Sequence, residues 1–148
     1  MLRFLMIFLL LPATVWAADE LGDDYVEPAR GSETRRALMD AIRPHAEWNL
    51  AAPVEFVVET LRVSGDVAYG SLSPQRPGGG VIDFWQTPLM KRGEINPEFY
   101  DGVQMHVLYQ KSGATWVAVH WSIGSTDVWF ASREFCEEYR SVTPEFCF

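Results

Sequence analysis

The chain has 148 residues, a formal net charge of −8 and two cysteines. An acidic surface repels phosphate backbones and anionic lipid headgroups, so the composition argues against a nucleic-acid-binding protein. Beyond the N-terminal segment no apolar run approaches the about 20 residues of a membrane-spanning helix. One domain without a membrane span is therefore predicted.

The first seventeen residues, MLRFLMIFLLLPATVWA, predict a secretory signal peptide. A single Arg3 precedes an apolar run that ends at Leu11. The small-residue pattern Val15-x-Ala17 predicts cleavage after Ala17. We therefore expect a periplasmic or secreted protein, and an uncleaved N-terminal anchor is the alternative.

The stretch that follows, residues 18–31, is rich in Asp and Glu, as in DELGDDYVE. Charge blocks of this kind are usually solvated. We expect a disordered acidic arm over residues 18–31, with an acidic docking peptide as the alternative, and a single domain over residues 32–148.

The segment ETRRALMDAIRPHAEWNL predicts the first helix of the domain. Apolar residues recur every four positions, and Ser32 precedes the segment as a candidate N-cap. Pro44 lies inside the pattern, so the helix should kink there or end and restart. The recurring apolar residues are Leu38, Ile42, Ala46 and Leu50.

Two hairpins are predicted after this helix. β-Branched residues indicate strands at about 54–63 and 67–73, joined by a Ser64-Gly65-Asp66 turn. The second hairpin has a three-residue turn at Ser112-Gly113-Ala114. Its alternation predicts Val107 opposite Val119, and this register sets His106 opposite His120.

Between the hairpins, SPQRPGGGVIDFW contains three consecutive glycines. A phosphate-binding loop would lead into a helix N-terminus, whereas these glycines lead into a β-forming stretch. We therefore expect a chain reversal in which Pro74 and Pro77 stop the strand and Gly78–Gly80 supply positive φ.

The C-terminal segment STDVWFASREFCEEYR predicts a short helix, with Thr126 or Asp127 as its N-cap. Cys136 and Cys147 are expected to form a structural disulfide in an oxidising compartment. A redox pair or metal site is the weaker alternative, because redox pairs usually have Cys-x-x-Cys spacing.

This order of elements predicts an α+β fold. An N-terminal helix packs on an antiparallel sheet of four or more strands, and the disulfide staples a short C-terminal helix. By analogy the arrangement is cystatin-like or NTF2-like.

The irregular segment from Pro74 to Asp101 is the expected contact surface. It carries aromatic and cationic side chains of the types found in interface hot spots. The leading hypothesis is a non-enzymatic domain that binds another protein of the cell envelope and needs no cofactor. The candidate binding residues are Arg76, Phe84, Trp85 and Phe99, with Lys91 and Arg92 beside them.

Two alternatives stay open. One is an NTF2-like small-molecule binder or enzyme with a pocket between helix and sheet. The other is metal binding at His106 and His120, for which the sequence names no third ligand. The chain contains none of the common hydrolase or nucleotide-binding motifs, so no catalytic residue is assigned. For the enzyme alternative, an acid such as Asp83 or Asp101 would act beside Tyr69, Tyr100 or Trp85.

Two stretches resemble an uncharacterised family of secreted proteobacterial proteins. LRVSGDVAYGSLSPQRPGGGVIDF carries a Gly-Asp turn and a Pro-Gln-x-Pro-x-Gly loop that leads to Ile-Asp. YQKSGATWVAVHWSIGSTDVWF carries Ile-Gly-x-Thr-Asp-Val after the last strand. Some relatives are joined to SH3-like modules, which implies an envelope-associated interaction role. The C-terminal REFCEEYRSVTPEFCF, with its cysteine pair, departs from the family.

Overall fold

A computed structural model describes residues 24–148. The predicted signal peptide and the first part of the predicted acidic arm lie outside the described residues. In chain order the main elements are α1 (Glu33–Leu50), β1 (Glu55–Ser64), β2 (Val67–Gln75), α2 (Pro88–Lys91), β3 (Tyr100–Ser112), β4 (Thr115–Ser125) and α3 (Arg133–Tyr139).

Helix α1 begins where the sequence predicts. The Ser32 hydroxyl accepts a hydrogen bond from the Arg35 amide at 3.2 Å and so caps the first turn. Pro44 lies inside the helix on its exposed side, and the helix neither ends nor restarts there. Burial on both sides of the proline holds the two halves as one element. The residues of the predicted stripe, Leu38, Ile42, Ala46 and Leu50, are fully buried.

The four strands form one antiparallel sheet in the order β1-β2-β3-β4. Ser64 pairs with Val67, and Ser112 pairs with Thr115. Both hairpins therefore have two-residue turns, shorter than the three-residue turns that the sequence predicts. A sheet of this kind, with α1 on one face, confirms the predicted α+β class.

Each edge strand contains a bulge. Glu59 is left unpaired in β1, between Val58 and Thr60. Val119 is left unpaired in β4, because Ala118 pairs with Tyr109 and His120 pairs with Leu108. An extra residue reverses the alternation of faces that follows it.

The two-residue turn and the bulge at Val119 together make the predicted register of the second hairpin wrong. Val107 lies opposite Trp121 rather than Val119, and His106 lies opposite Ser122 rather than His120. The two-residue turn shifts every pair by one residue from the prediction, and the residue inserted at Val119 shifts the pairs beyond it by one more.

Side chains are buried on both faces of the sheet. The larger core lies between α1 and the sheet and includes Leu61, Met105 and Tyr109. The second core lies on the other face, where Tyr69 and Leu108 pack against the C-terminal segment. The members that this segment contributes are Phe130, Tyr139 and Val142.

The C-terminal segment is stapled as the sequence predicts. Cys136 in α3 and Cys147 form a disulfide with an S–S distance of 2.05 Å. The predicted caps are wrong, because α3 begins at Arg133 after Ser132, and a 3₁₀ turn precedes it. Asp127 instead accepts a hydrogen bond from the Ser125 hydroxyl.

The part of the predicted acidic arm that the structure describes, residues 24–31, makes contacts with β1. Val26 and Val63 form an antiparallel bridge, with backbone hydrogen bonds of 2.8 and 2.9 Å. The Arg62 guanidinium lies 4.5 Å from the centre of the Tyr25 ring. Two apolar residues within the charge block thus anchor this part of the arm to β1. None of the described helices is both long and apolar enough to cross a membrane.

Candidate functional site

The triple glycine forms the predicted reversal after β2. The Arg76 amide donates to the Gly80 carbonyl at 2.7 Å, and the Gly79 amide donates to the Arg76 carbonyl at 3.0 Å. Gly78 and Gly79 have the predicted positive φ, 80° and 86°, which favours glycine, whereas Gly80 does not have a positive φ. Pro74 does not stop the strand: it pairs with Phe56, and β2 continues to Gln75.

Arg76 fixes the start of this loop to the end of α1. Its guanidinium donates to the carbonyl of Leu50 at 2.7 Å, to that of Pro53 at 3.0 Å and to that of Ala51. A cation at the C-terminus of a helix also interacts favourably with the helix dipole. The structure therefore places the guanidinium of the half-buried candidate residue Arg76 in internal contacts.

The loop beyond the glycines is held by buried side chains. Phe84, a candidate binding residue, is 6% exposed and stacks on Tyr100 at 6.4 Å. The buried Thr87 hydroxyl donates to the Phe84 carbonyl at 2.7 Å. It also accepts a hydrogen bond from the Met90 amide and so caps the N-terminus of α2. The stretch from Val81 to Trp85 is not a strand, because a 3₁₀ turn begins at Phe84.

The other two candidate binding residues lie on the surface. Trp85 is 61% exposed and Phe99 is 63% exposed. Trp48, in the last turn of α1, is 71% exposed. We call these three side chains the aromatic surface. The sequence gives a signal for Trp48, because it lies off the four-residue stripe of α1 that predicts the buried face.

Arg92 connects the loop to the last turn of α1. Its guanidinium carbon lies 5.6 Å from the centre of the Trp48 ring. One guanidinium nitrogen donates to the side-chain oxygen of the buried Asn49 at 2.6 Å, and Nε lies 3.1 Å from the Glu94 carboxylate. The Asn49 amide donates to the His45 carbonyl at 2.8 Å. These contacts leave the Arg92 charge largely satisfied within the protein.

A cleft of about 280 Å³ lies between the end of α1, the loop and the sheet. Small-molecule sites usually enclose about 300 to 1,000 Å³, so the cleft is at the lower limit. No Asp or His lines it, and its one carboxylate, Glu94, pairs with Arg92. The lining residues are Asn49, Leu89, Glu94, Ile95, Tyr100, Trp121, Ser122 and Ile123.

The residues of the enzyme alternative are not gathered in one cleft, because Asp83 lines a separate cleft of about 230 Å³ beside Arg76. Asp83 is exposed and accepts a hydrogen bond from the Trp85 amide at 3.0 Å. Asp101 is exposed at the start of β3. Tyr69 lies on the other face of the sheet, in the second core, whereas Tyr100 lines the cleft.

His106 and His120 occupy different surroundings on the outer face of the sheet. His106 Nδ1 shares a hydrogen bond with the Tyr69 hydroxyl at 3.0 Å, and its ring packs 4.9 Å from that of Phe130. Burial lowers the pKa of His106, although the Glu59 carboxylate acts in the opposite direction. His120 is exposed and packs on Phe135 at 4.8 Å. Within residues 24–148 no group of three or more His, Cys, Asp or Glu could hold a metal ion.

Comparison of the chain with protein-family models, with curated proteins and with solved structures found no match.

Proposed function

We propose that this protein is a non-enzymatic domain of the cell envelope that binds another envelope protein through the aromatic surface. The observation that carries the proposal is the exposure of Trp48, Trp85 and Phe99, each more than 60% exposed, on the end of α1 and on the loop between β2 and β3. Tryptophan is among the residues most enriched in interface hot spots. Exposed aromatic side chains of these types are therefore candidates for contact with a partner.

The cleft supports the same proposal. It opens among apolar side chains between Asn49 in the last turn of α1 and Tyr100, which follows Phe99. A cleft of this volume accommodates an anchoring side chain of a partner more readily than a whole cofactor or substrate. It provides a place for a partner residue to become fully desolvated.

The charges around Phe99 favour a partner with cationic side chains. Glu98 and Asp101 are exposed and pair with no cation within residues 24–148, whereas Arg76 and Arg92 are held by internal contacts. A Lys or Arg of the partner would then meet both an acidic rim and exposed aromatic faces. The resemblance to secreted proteins joined to SH3-like modules agrees with an interaction role.

Pull-down from envelope extract tests the proposal, using the chain without its predicted signal peptide. We expect Trp85→Ala and Phe99→Ala each to lose the proteins that the wild type recovers, because removing a hot-spot aromatic costs about 2 kcal/mol or more of binding free energy. Phe148→Ala is the matched control, since Phe148 is exposed at the C-terminus. Equal recovery by wild type and both aromatic variants would contradict the proposal.

A further inference from the structure

The two edges of the sheet differ in how they are protected. The β1 edge contains the charged residues Glu55, Glu59 and Arg62, and Val26 pairs with it at Val63. The β4 edge, TWVAVHWSIGS, contains no Asp, Glu, Lys, Arg or Pro. Within residues 24–148, no strand other than β3 pairs with β4.

A strand edge of this length with few protecting features can pair with another strand. The outer side of β4 presents a row of backbone amides and carbonyls that can accept another strand. Natural proteins usually block such edges with charges, prolines, bulges or a covering segment. Of these protecting features, β4 contains only the bulge at Val119. The nearby Val117 is 41% exposed.

We propose that β4 pairs antiparallel with β4 of a second copy of this chain, so that two four-stranded sheets become one continuous sheet. Antiparallel pairing of two identical strands places the same surface on both subunits and therefore closes as a two-fold dimer. The chain carries a net charge of −8, so two copies repel over most of their surfaces, whereas β4 brings no charged side chain into the contact.

The charges at the two ends of β4 are complementary in this arrangement. Lys111 lies just before the turn into β4, with its ammonium 5.8 Å from the Trp116 ring, and it is exposed. Asp127 lies just beyond the other end and is also exposed. Antiparallel pairing brings Lys111 of each copy towards Asp127 of the other, so opposite charges meet at both ends of the interface.

Sedimentation velocity over a range of protein concentrations tests the dimer. We expect a monomer–dimer equilibrium in the wild type and a dimer dissociation constant raised at least about tenfold by Val117→Lys, which places two like charges in the interface. Val57→Lys is the matched control, because Val57 is 48% exposed on β1, and it should dimerise like the wild type. A wild type that is monomeric throughout, or equal dimerisation by both lysine variants, overturns the proposal.

Charge reversal provides a second measurement that does not alter β4 itself. Lys111→Glu and Asp127→Lys should each weaken the dimer by about two- to fivefold, as expected for exposed charge pairs, and the double variant should recover the wild-type dissociation constant. Far-ultraviolet circular dichroism of each variant confirms that the fold is retained. Additive losses in the double variant would overturn the antiparallel arrangement.

Discussion

Gly124 and Gly78 both have positive φ but meet different surroundings. Gly124, in β4, has φ of 65°, and a Cβ added there would lie 2.4 Å from the carbonyl oxygen of Gly102. Gly78, in the reversal after β2, has φ of 80°, and a Cβ there would meet no atom within 4 Å. Substitution by alanine therefore tests backbone strain alone at Gly78. At Gly124 it tests backbone strain together with steric overlap.

Gly124→Ala should lower the free energy of unfolding by more than about 2 kcal/mol, because the methyl group forces the two backbone segments apart as well as straining φ. Gly78→Ala should cost only about 1 kcal/mol, the strain of a left-handed non-glycine residue. Urea denaturation of both variants measures the difference. Equal losses would show that the close approach of Gly124 and Gly102 relaxes at no cost.

At the same scale, the sequence predicts some site residues and not others. Trp85 and Phe99 are exposed, and large aromatic residues in an irregular segment are the signal that predicts them. Arg76 and Phe84 are also of residue types found in interface hot spots, but they make internal contacts with Leu50 and Tyr100, which lie far away in the chain. The carbonyl that Arg76 binds at Leu50 is 26 residues distant. Residue type alone cannot separate a surface cation from one that ends a helix.

At the scale of elements, helix α3 and the tail after it depend on one covalent link. The disulfide closes a loop of sequence separation 11 between Cys136 and Cys147. The enclosed tail contributes the fully buried Val142 to the second core, and Phe146 packs edge-on against Phe130 at 5.0 Å. The small core on this face thus relies on chain that the disulfide restrains.

Replacing both cysteines with alanine should lower the free energy of unfolding by about 2 to 3 kcal/mol, the loop-closure value for a loop of this length. Urea denaturation with and without reductant measures it. Reductant should lower the urea midpoint of the wild type to about that of the double variant. It should leave the midpoint of the double variant unchanged. A wild-type midpoint unaffected by complete reduction would contradict the prediction.

The sequence predicts the existence of the main helices and strands better than their pairing. The apolar period of α1 and the turn residues Gly65 and Gly113 are local signals, and the structure confirms the elements that they predict. The bulges at Glu59 and Val119 depend on how twisted neighbouring strands fit together, and no local pattern marks them. The predicted pairing of His106 with His120 fails because the two-residue turn and the bulge at Val119 each shift the register by one residue.

At the scale of the whole molecule, the environment of His106 makes stability depend on pH. Burial against the second core lowers the pKa of His106 in the folded state, so the fold favours the neutral ring. In the unfolded chain histidine titrates near its usual value of about 6.5. At a pH between the folded-state and unfolded-state pKa of His106, the unfolded chain binds more protons than the folded protein. The free energy of unfolding therefore rises with pH across this range and levels off above the unfolded-state pKa.

The urea midpoint of the wild type should fall as the pH is lowered from about 7.5 to about 5.5, a window that spans the unfolded-state pKa of histidine. His106→Gln should reduce this dependence, because the substituted side chain does not titrate. His120→Gln removes an exposed histidine and serves as the control for the substitution itself. The same pH dependence in His106→Gln as in the wild type would exclude His106 as its source.

The contacts of Arg76 with the end of α1 also bear on binding kinetics. They join the helix that carries Trp48 to the start of the loop that carries Trp85. A partner that docks on the proposed aromatic surface therefore meets backbone that is already ordered, and little conformational entropy is lost on binding. Association then requires no slow rearrangement, so substitutions on this surface should change the lifetime of the complex far more than its rate of formation.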